Sequence, residues 1–412
     1  MSGMLDRIRK GYGKKLISLH MWNGWIVLIL ALTGLILIGG FWRGFLGEGR
    51  VWIKWLHIGV GIASILPVIY YLLLATKHWK QLKKKPWQRF NVLVVLGFLL
   101  GWFGSGVLLW QFKLVGPEVS NVALVVHDLL TWIGLPYIIY HSITRLKWLK
   151  EPNRRTVKEK ENRPAVLQPA APQAMYTRRA FVRGAIGVGL AVTLGPSFLK
   201  WVGNSLGGIG GSQTLDKLIE DNANRLIPNP IPLPASTLPL GGGAQGHFRV
   251  YTVTPIPSFT NENWSFTIDG LVDKPFKWNW EQFVEQKRLV QISDFHCVTG
   301  WSVYKNTWEG IPLKMLLKQA GVKSNARTVK FYSGDGVYTD SLTLDQADLD
   351  DVMVAVMHDG KPIPSDLGGP IRLIVPKMYA YKSVKWLNRI ELIEDDYVGY
   401  WEARGYAKDA WV

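Results

Sequence analysis

Asp294-Phe295-His296-Cys297-Val298-Thr299-Gly300-Trp301-Ser302 contains the only cysteine of the 412-residue chain. A lone thiol makes no intrachain disulfide and builds no Cys-rich zinc site. Taken by itself it reads as a small buried hydrophobe. Its setting points to chemistry instead. An alternating apolar run, Leu289 to Phe295, precedes it, and a Gly-Trp-Ser turn follows. That places the thiol at a strand end, where a rigid element presents a side chain to a loop-lined site. Downstream, Trp308-Glu309-Gly310-Ile311-Pro312-Leu313 runs into an amphipathic helix expected over Leu313–Ala320.

Outward from that stretch, composition bounds the rest. Hydrophobic residues make up 48% of the chain, with 20 Trp, and are concentrated before residue 142 and between residues 184 and 203. That distribution reads as membrane insertion. The formal charge of +17 does not indicate nucleic acid, because the basic residues cluster beside the hydrophobic spans, where topology signals sit.

Four apolar spans are expected: Leu16–Trp42, Trp52–Ala75, Val92–Trp110 and Val122–Tyr140. Each approaches the ~20 residues a helix needs to cross hydrocarbon. Segment 77–89 carries Lys77, Lys80, Lys83, Lys84, Lys85 and Arg89, and the segment after span four carries Arg145, Lys147, Lys150, Arg154 and Arg155. Loops 43–51 and 111–121 have few basic residues, so both ends of the four-helix unit are expected in the cytoplasm. The expected domains are a four-helix membrane domain (1–150), a cytoplasmic linker (151–175), a fifth membrane helix (176–203), a second linker with a short helix at Leu215–Arg225 (204–245), and an extracytoplasmic domain (246–412). In the last, strands at Phe248–Val253, Ser265–Asp269, Thr328–Tyr332 and Ile371–Val375 alternate with turns and helices, an α+β layout. Thr177-Arg178-Arg179-Ala180-Phe181-Val182-Arg183 resembles a twin-arginine export signal. Its plainer reading, a positive-inside flank, implies the same crossing.

Four of the eight histidines lie in the spans: His20, His57, His127 and His141. Ionisable groups in hydrocarbon are costly and usually functional. His127 and His141 share a helix face and lie roughly 21 Å apart along its axis. Depth matching then pairs His20 with His141 and His57 with His127. Gly24 and Gly61 each follow a histidine by one turn and leave room for a flat ring. This arrangement resembles the di-haem cytochrome b subunit of formate dehydrogenases and nickel hydrogenases, and implies two b-type haems and a quinone co-substrate. His78 is expected at the cytoplasmic interface.

The order Cys297, Gly-Trp-Ser, Trp-x-Gly, Leu resembles the sulfite-oxidase family of molybdopterin enzymes, in which the strand-end cysteine ligates molybdenum. A soft thiolate suits that metal. Gly368-Gly369-Pro370-Ile371-Arg372-Leu373-Ile374-Val375-Pro376 and Tyr381-Lys382-Ser383-Val384-Lys385-Trp386 resemble the family's pterin-binding segments. The resemblance implies cofactor contacts for Phe248, Arg249, Arg372, Lys382, Ser383 and Lys385, and substrate-facing positions for Tyr332, Asp335 and Tyr338. Val298-Thr299-Gly300-Trp301 departs from the family's arginine-containing segment, and the C-terminal dimerisation domain is missing, so the layout is closer to the methionine sulfoxide reductase branch.

The expected activity is therefore a membrane-bound molybdenum oxidoreductase. Quinol electrons would pass through two haems to reduce an S- or N-oxide small molecule. The reverse, oxidation of a substrate such as sulfite, stays open. So do a non-catalytic electron-transfer module and a haem-free four-helix sensor or transporter.

Overall fold

The computed structural model describes residues 10–38, 46, 49–144, 178–206 and 222–412. The linker expected over 151–175, and Leu215–Asp221 of the expected short helix, lie outside the described residues. The described end of that short helix is not helical: Arg225 pairs with Thr260 in an isolated bridge.

The helices are α1 (Tyr12–Ile38), α2 (Gly49–Ala63), α3 (Ile65–Gln81), α4 (Pro86–Trp110), α5 (Phe112–Thr144) and α6 (Arg178–Leu206). Among the described residues, four helical stretches are long and apolar enough to cross a membrane: Tyr12–Leu37, Gly49–Gln81, Pro86–Trp110 and Phe112–Ser142. Their count and order agree with the four expected spans. Large side chains such as Trp22, Leu66, Leu93 and Val122 stand exposed on them. In water that surface would favour association; against lipid it costs nothing. Helix α5 is broken at Gly116, whose φ of 76° takes it out of the helix just before Pro117. Where a fifth membrane helix was expected, α6 is formed with Pro196 inside it, but it is not among the four stretches apolar enough to cross a membrane.

The chain divides into two compact units. The first contains residues 1–23, 64–105 and 125–203, and holds His20, His78, His127 and His141. The second contains residues 24–63, 106–124 and 204–412, and so joins all of α2 and the ends of α1, α4, α5 and α6 to the whole α+β region.

Within the second unit two sheets form the α+β core. One has the order β2 (Phe276–Trp278), β1 (Phe266–Gly270), β10 (Leu387–Ile393), β5 (Thr328–Ser333), β6 (Thr339–Thr343). β1 and β10 run parallel, and the other pairs are antiparallel. The second sheet has the order β3 (Leu289–His296), β4 (Ser302–Pro312), β7 (Met353–His358), β8 (Lys361–Pro362), with β9 (Arg372–Ile374) on β7. Short helix α7 (Trp280–Val284) begins with a capping box between Asn279 and Gln282. Helix α8 spans Leu313–Ala320 as expected and buries Leu313, Leu316, Leu317 and Ala320, one face at i, i+3, i+4 and i+7.

One strand expectation fails. Phe248–Val253 is extended but joins no ladder. Phe248 packs by its ring on Phe295 and Trp301.

Candidate molybdopterin site

Strand β3 delivers Cys297 and a tight turn holds it. The Cys297 amide donates to the Trp301 carbonyl (2.9 Å), and the Gly300 amide donates to the Cys297 carbonyl (2.9 Å). The thiol is half-buried and lies 3.2 Å from Thr299 Oγ1. Gly300 closes the turn at φ 94°, and a Cβ there would meet Leu109 Cδ2 at 2.8 Å and the Ser120 carbonyl at 3.2 Å. The cysteine turn is thus seated on the α4–α5 junction of the same unit. Phe112 makes an edge-to-face contact with Tyr379 nearby in that junction.

His296 is anchored through Nδ1 to Ser302 Oγ (2.9 Å). Burial lowers its pKa, opposed by Asp294 and Glu118, so its ring is biased to the neutral form.

A second cluster lies across β4, β7 and β9. Arg372 is 3% exposed and has no carboxylate ion-pair partner among the described residues. It donates to the Leu367 carbonyl (2.5 Å) and the Ser383 carbonyl (3.1 Å), and its guanidinium lies over the Phe295 ring. Burial pushes it down to about 9. His358 rests on Trp308, ring centres 4.3 Å apart, and pairs through Nε2 with Asn306 Oδ1 (2.9 Å). Burial, opposed by Asp359 and reinforced by Arg372, pushes His358 down to about 4. Arg372 Nε, His358 Nδ1 and Trp308 Nε1 are all buried with no hydrogen-bond partner among the described residues. Buried polar atoms are rarely left unpaired. Three in one contacting cluster mark a place for a polar group with both donors and acceptors. Burial, with Arg372 adding to it, also pushes Lys385 down to about 7. Two buried cations whose charge burial disfavours fit a phosphate.

The other expected residues fall differently. Phe248 lines the wall beside Phe295, Trp301 and His358. Arg249 follows it in the same extended segment, half-buried. Ser383 uses its hydroxyl to accept from the Val375 amide (3.0 Å). Its carbonyl holds Arg372, so it sets that guanidinium in place.

Lys382 corrects the expectation of a phosphate contact. It is 2% exposed, and its ammonium donates to Asp340 (2.8 Å), to the Ser341 carbonyl (3.0 Å) and to Glu402. Three donors meet three internal acceptors, so nothing is left for a ligand.

Tyr332 corrects another expectation. Its hydroxyl is bound to Glu391 on β10, in a group with Lys330 and Arg389 on the other sheet. Asp335 is a turn former: one carboxylate oxygen accepts from the Val337 and Tyr338 amides (3.0 and 2.9 Å), the other from Thr254 (3.2 Å). Its charge still reaches Lys385 and raises it.

In the membrane-type helices, the His20 and His141 ring centres are 6.0 Å apart, with planes at 67°. His127 Nδ1 lies 2.9 Å from Ser105 Oγ. In the second unit, His57 Nδ1 lies 2.8 Å from Thr33 Oγ1, and a Cβ on Gly34 would touch His57 Cε1 at 3.3 Å. Space beside Gly24 is open. His78 Nδ1 is held by Tyr71 Oη (3.0 Å).

Sequence reasoning passed over Arg50, His358 and Tyr406. The one available signal for Arg50 was a basic residue standing in a loop otherwise poor in them.

Residues 253–401 match the family described as "Oxidoreductase molybdopterin binding domain". The chain is 35% identical over 160 residues to the uncharacterized oxidoreductase YuiH of Bacillus subtilis, covering 39% of this chain and 80% of that protein. It is 32% identical over 163 residues to the protein-methionine-sulfoxide reductase catalytic subunit MsrP of Pseudomonas syringae, covering 35% of this chain and 48% of that one. It is 28% identical over 139 residues to the putative protein-methionine-sulfoxide reductase subunit YedZ1 of Azospira oryzae, covering 34% of this chain and 52% of that one. The chain thus spans about half the length of the last two relatives. With the strand-end thiol and the cation pair in place, the chain belongs to the molybdopterin-binding oxidoreductases of the sulfite-oxidase type.

Proposed function

We propose that this protein is a membrane-bound, quinol-dependent reductase of S- or N-oxides, with Cys297 as the protein's ligand to molybdenum. The observation that carries the reading is the site itself: a lone strand-end thiol in the same domain as two buried cations, Arg372 and Lys385. Arg372 and Lys385 would hold the cofactor's phosphate. Trp308 Nε1, His358 Nδ1 and Arg372 Nε would meet its polar ring atoms. When bound, the cofactor supplies two-electron oxygen-atom transfer. The net reaction consumes an S-oxide, two electrons and two protons, and yields the sulfide and water; a quinol supplies both electrons and both protons. Cys297 would hold the metal, and Phe295 and Trp301, in the cluster it packs against, exclude water from that wall. Tyr406 lies within electrostatic range of Cys297, and burial raises its hydroxyl's pKa, so it holds a proton at Oη beside the site.

The haem part of the proposal rests on the histidines. A metal between two imidazoles, about 2 Å from each nitrogen and about 1 Å further to each ring centre, needs ring centres about 6 Å apart. His20 and His141 meet that spacing at 6.0 Å. His57 and His127 each have Nδ1 within hydrogen-bond reach of a hydroxyl, which orients the ring. His20/His141 are the proposed iron ligands of one b haem, with a quinone near that pair, and His57 and His127 are each proposed as haem ligands.

The orientation proposal has its own support. The helical ends that touch the α+β region, at Arg50–Trp55 and Leu109–Leu124, belong to the loops poor in Lys and Arg. By the positive-inside rule that side is extracytoplasmic, with α6 making the fifth crossing. The similarity to MsrP and YedZ1 favours reduction over sulfite-type oxidation.

Cys297→Ser tests the assignment. Purified variant protein is expected to lose S-oxide reduction while its haem spectrum is retained. Full turnover in the variant would refute Cys297 as the ligand.

A further inference from the structure

Two cations from helix α2 reach the neighbourhood of Cys297. Arg50 is 9% exposed, and its guanidinium lies 4.9 Å over the Tyr251 ring. One nitrogen donates to the Leu37 carbonyl (2.7 Å), which caps the end of α1. Nε is buried with no partner, and no carboxylate among the described residues pairs with this charge. One turn further along, Lys54 lies 4.3 Å over the Tyr406 ring, again with no carboxylate in ion-pair range. A Cβ on Gly405 would lie 3.8 Å from Trp55 Cζ2, so the end of α2 is seated on the loop that carries Tyr406. Tyr406 is the common neighbour: its hydroxyl feels the charge of Cys297, Tyr251 and Arg50 together.

A capping role needs one of a guanidinium's five N–H donors. It explains neither the unpartnered Nε nor a second cation, one turn on, lying over Tyr406. A buried cation without an anion is costly unless a ligand completes it. Aromatic faces alone return only part of that cost.

We infer that Arg50 and Lys54 form an anion-binding subsite beside Cys297, contributed by the membrane-type helix α2, which receives a carboxylate or oxyanion group of the substrate. The substrate class is thereby narrowed to anionic S- or N-oxides. The inference rests on Cys297 being the reaction centre, and it gives the α2 seat a chemical purpose: the site is complete only when helix and α+β region are one chain.

The test uses the full-length chain in detergent, purified from molybdate-starved cells. Cys297 is the only cysteine, so alkylation reports on this thiol alone. Anionic iodoacetate and neutral iodoacetamide are compared by mass spectrometry. At intermediate dielectric, one nearby cation changes the rate ratio by about threefold or more. Arg50→Gln and Lys54→Gln are each expected to lower the iodoacetate-to-iodoacetamide ratio by at least about threefold, and the pair by more. Arg50→Lys should keep the wild-type ratio, which separates charge from misfolding. Inorganic sulfate should slow iodoacetate on wild type and not on the double variant. An unchanged ratio in both Gln variants would overturn the inference and leave the pair as an anchor of α2. In the loaded enzyme with an artificial reductant, N-acetylmethionine sulfoxide is compared with its methylamide. Arg50→Gln should lower the kcat/KM preference for the anionic substrate by about tenfold, as loss of one charge-assisted contact does. Equal loss on both substrates would overturn the assignment. If neither substrate turns over in the wild type, the proposed function fails, while the alkylation ratio still judges the subsite.

Discussion

Replacing Arg372 with Met should separate what this residue does for the fold from what it does for the cofactor. Burial depresses the guanidinium from its ordinary 12.5 to about 9. Because the folded-state value is lowered, the charged form is disfavoured on folding, and the full cost applies at every pH below about 9. At ~1.4 kcal/mol per tenfold change this is about 5 kcal/mol at pH 7. Against it stand two charge-assisted hydrogen bonds, to the Leu367 and Ser383 carbonyls, at about 1.5–3 kcal/mol each. The contact over Phe295 adds about 1 kcal/mol. The two sides nearly cancel, so Arg372→Met in the cofactor-free chain should shift denaturant stability by no more than about 2 kcal/mol. With cofactor, the same change removes a phosphate partner. Molybdenum retained per chain after dialysis should fall ten- to a hundredfold, the range of about 1.5–3 kcal/mol for such a bond. Trp fluorescence during denaturation and metal analysis by mass spectrometry give the two readouts. A loss above about 4 kcal/mol without cofactor, or unchanged molybdenum retention, would refute the reasoning.

Lys382→Gln leaves Asp340 and Glu402 buried without their cation, and should destabilise the domain by about 3–5 kcal/mol in denaturant titrations, with Lys382→Arg partly restoring it. Gly300→Val meets both a positive φ and the Leu109 side chain, so a cost of about 1–3 kcal/mol and a measurable loss of bound molybdenum are expected. For Lys385 the folded-state value is lowered, chiefly by burial, to about 7. Its penalty is therefore full below pH 7 and fades as pH rises toward 10.5. The cofactor-free chain should gain stability over that window, and Lys385→Met should flatten the denaturation midpoint across it.

Local pattern made much of this molecule readable. The alternation into Cys297 and the i, i+3, i+4, i+7 face of Leu313–Ala320 each need only a few neighbouring residues to specify, and both are formed as expected. The four apolar spans were legible for the same reason. What failed depends on distant partners. Lys382 sits in a segment that reads as phosphate-binding, but Asp340 is 42 residues away and Glu402 is 20, and only folding brings them to its ammonium. Tyr332 looked substrate-facing until β10 placed Glu391 beside it. Phe248–Val253 has strand composition, yet a ladder needs a free edge, and the segment finds aromatic side chains instead. Arg50 was the least legible: nothing near it in sequence hints that Tyr251, some 200 residues on, will lie under its guanidinium.

The most direct measurement is the metal and haem content of the detergent-purified full chain, with a reduced-minus-oxidised spectrum. The account predicts about one molybdenum and two b-type haems per chain. Molybdenum without haem would contradict the relay and reduce the helical half to an anchor. Haem without molybdenum would contradict the central claim that Cys297 holds the metal.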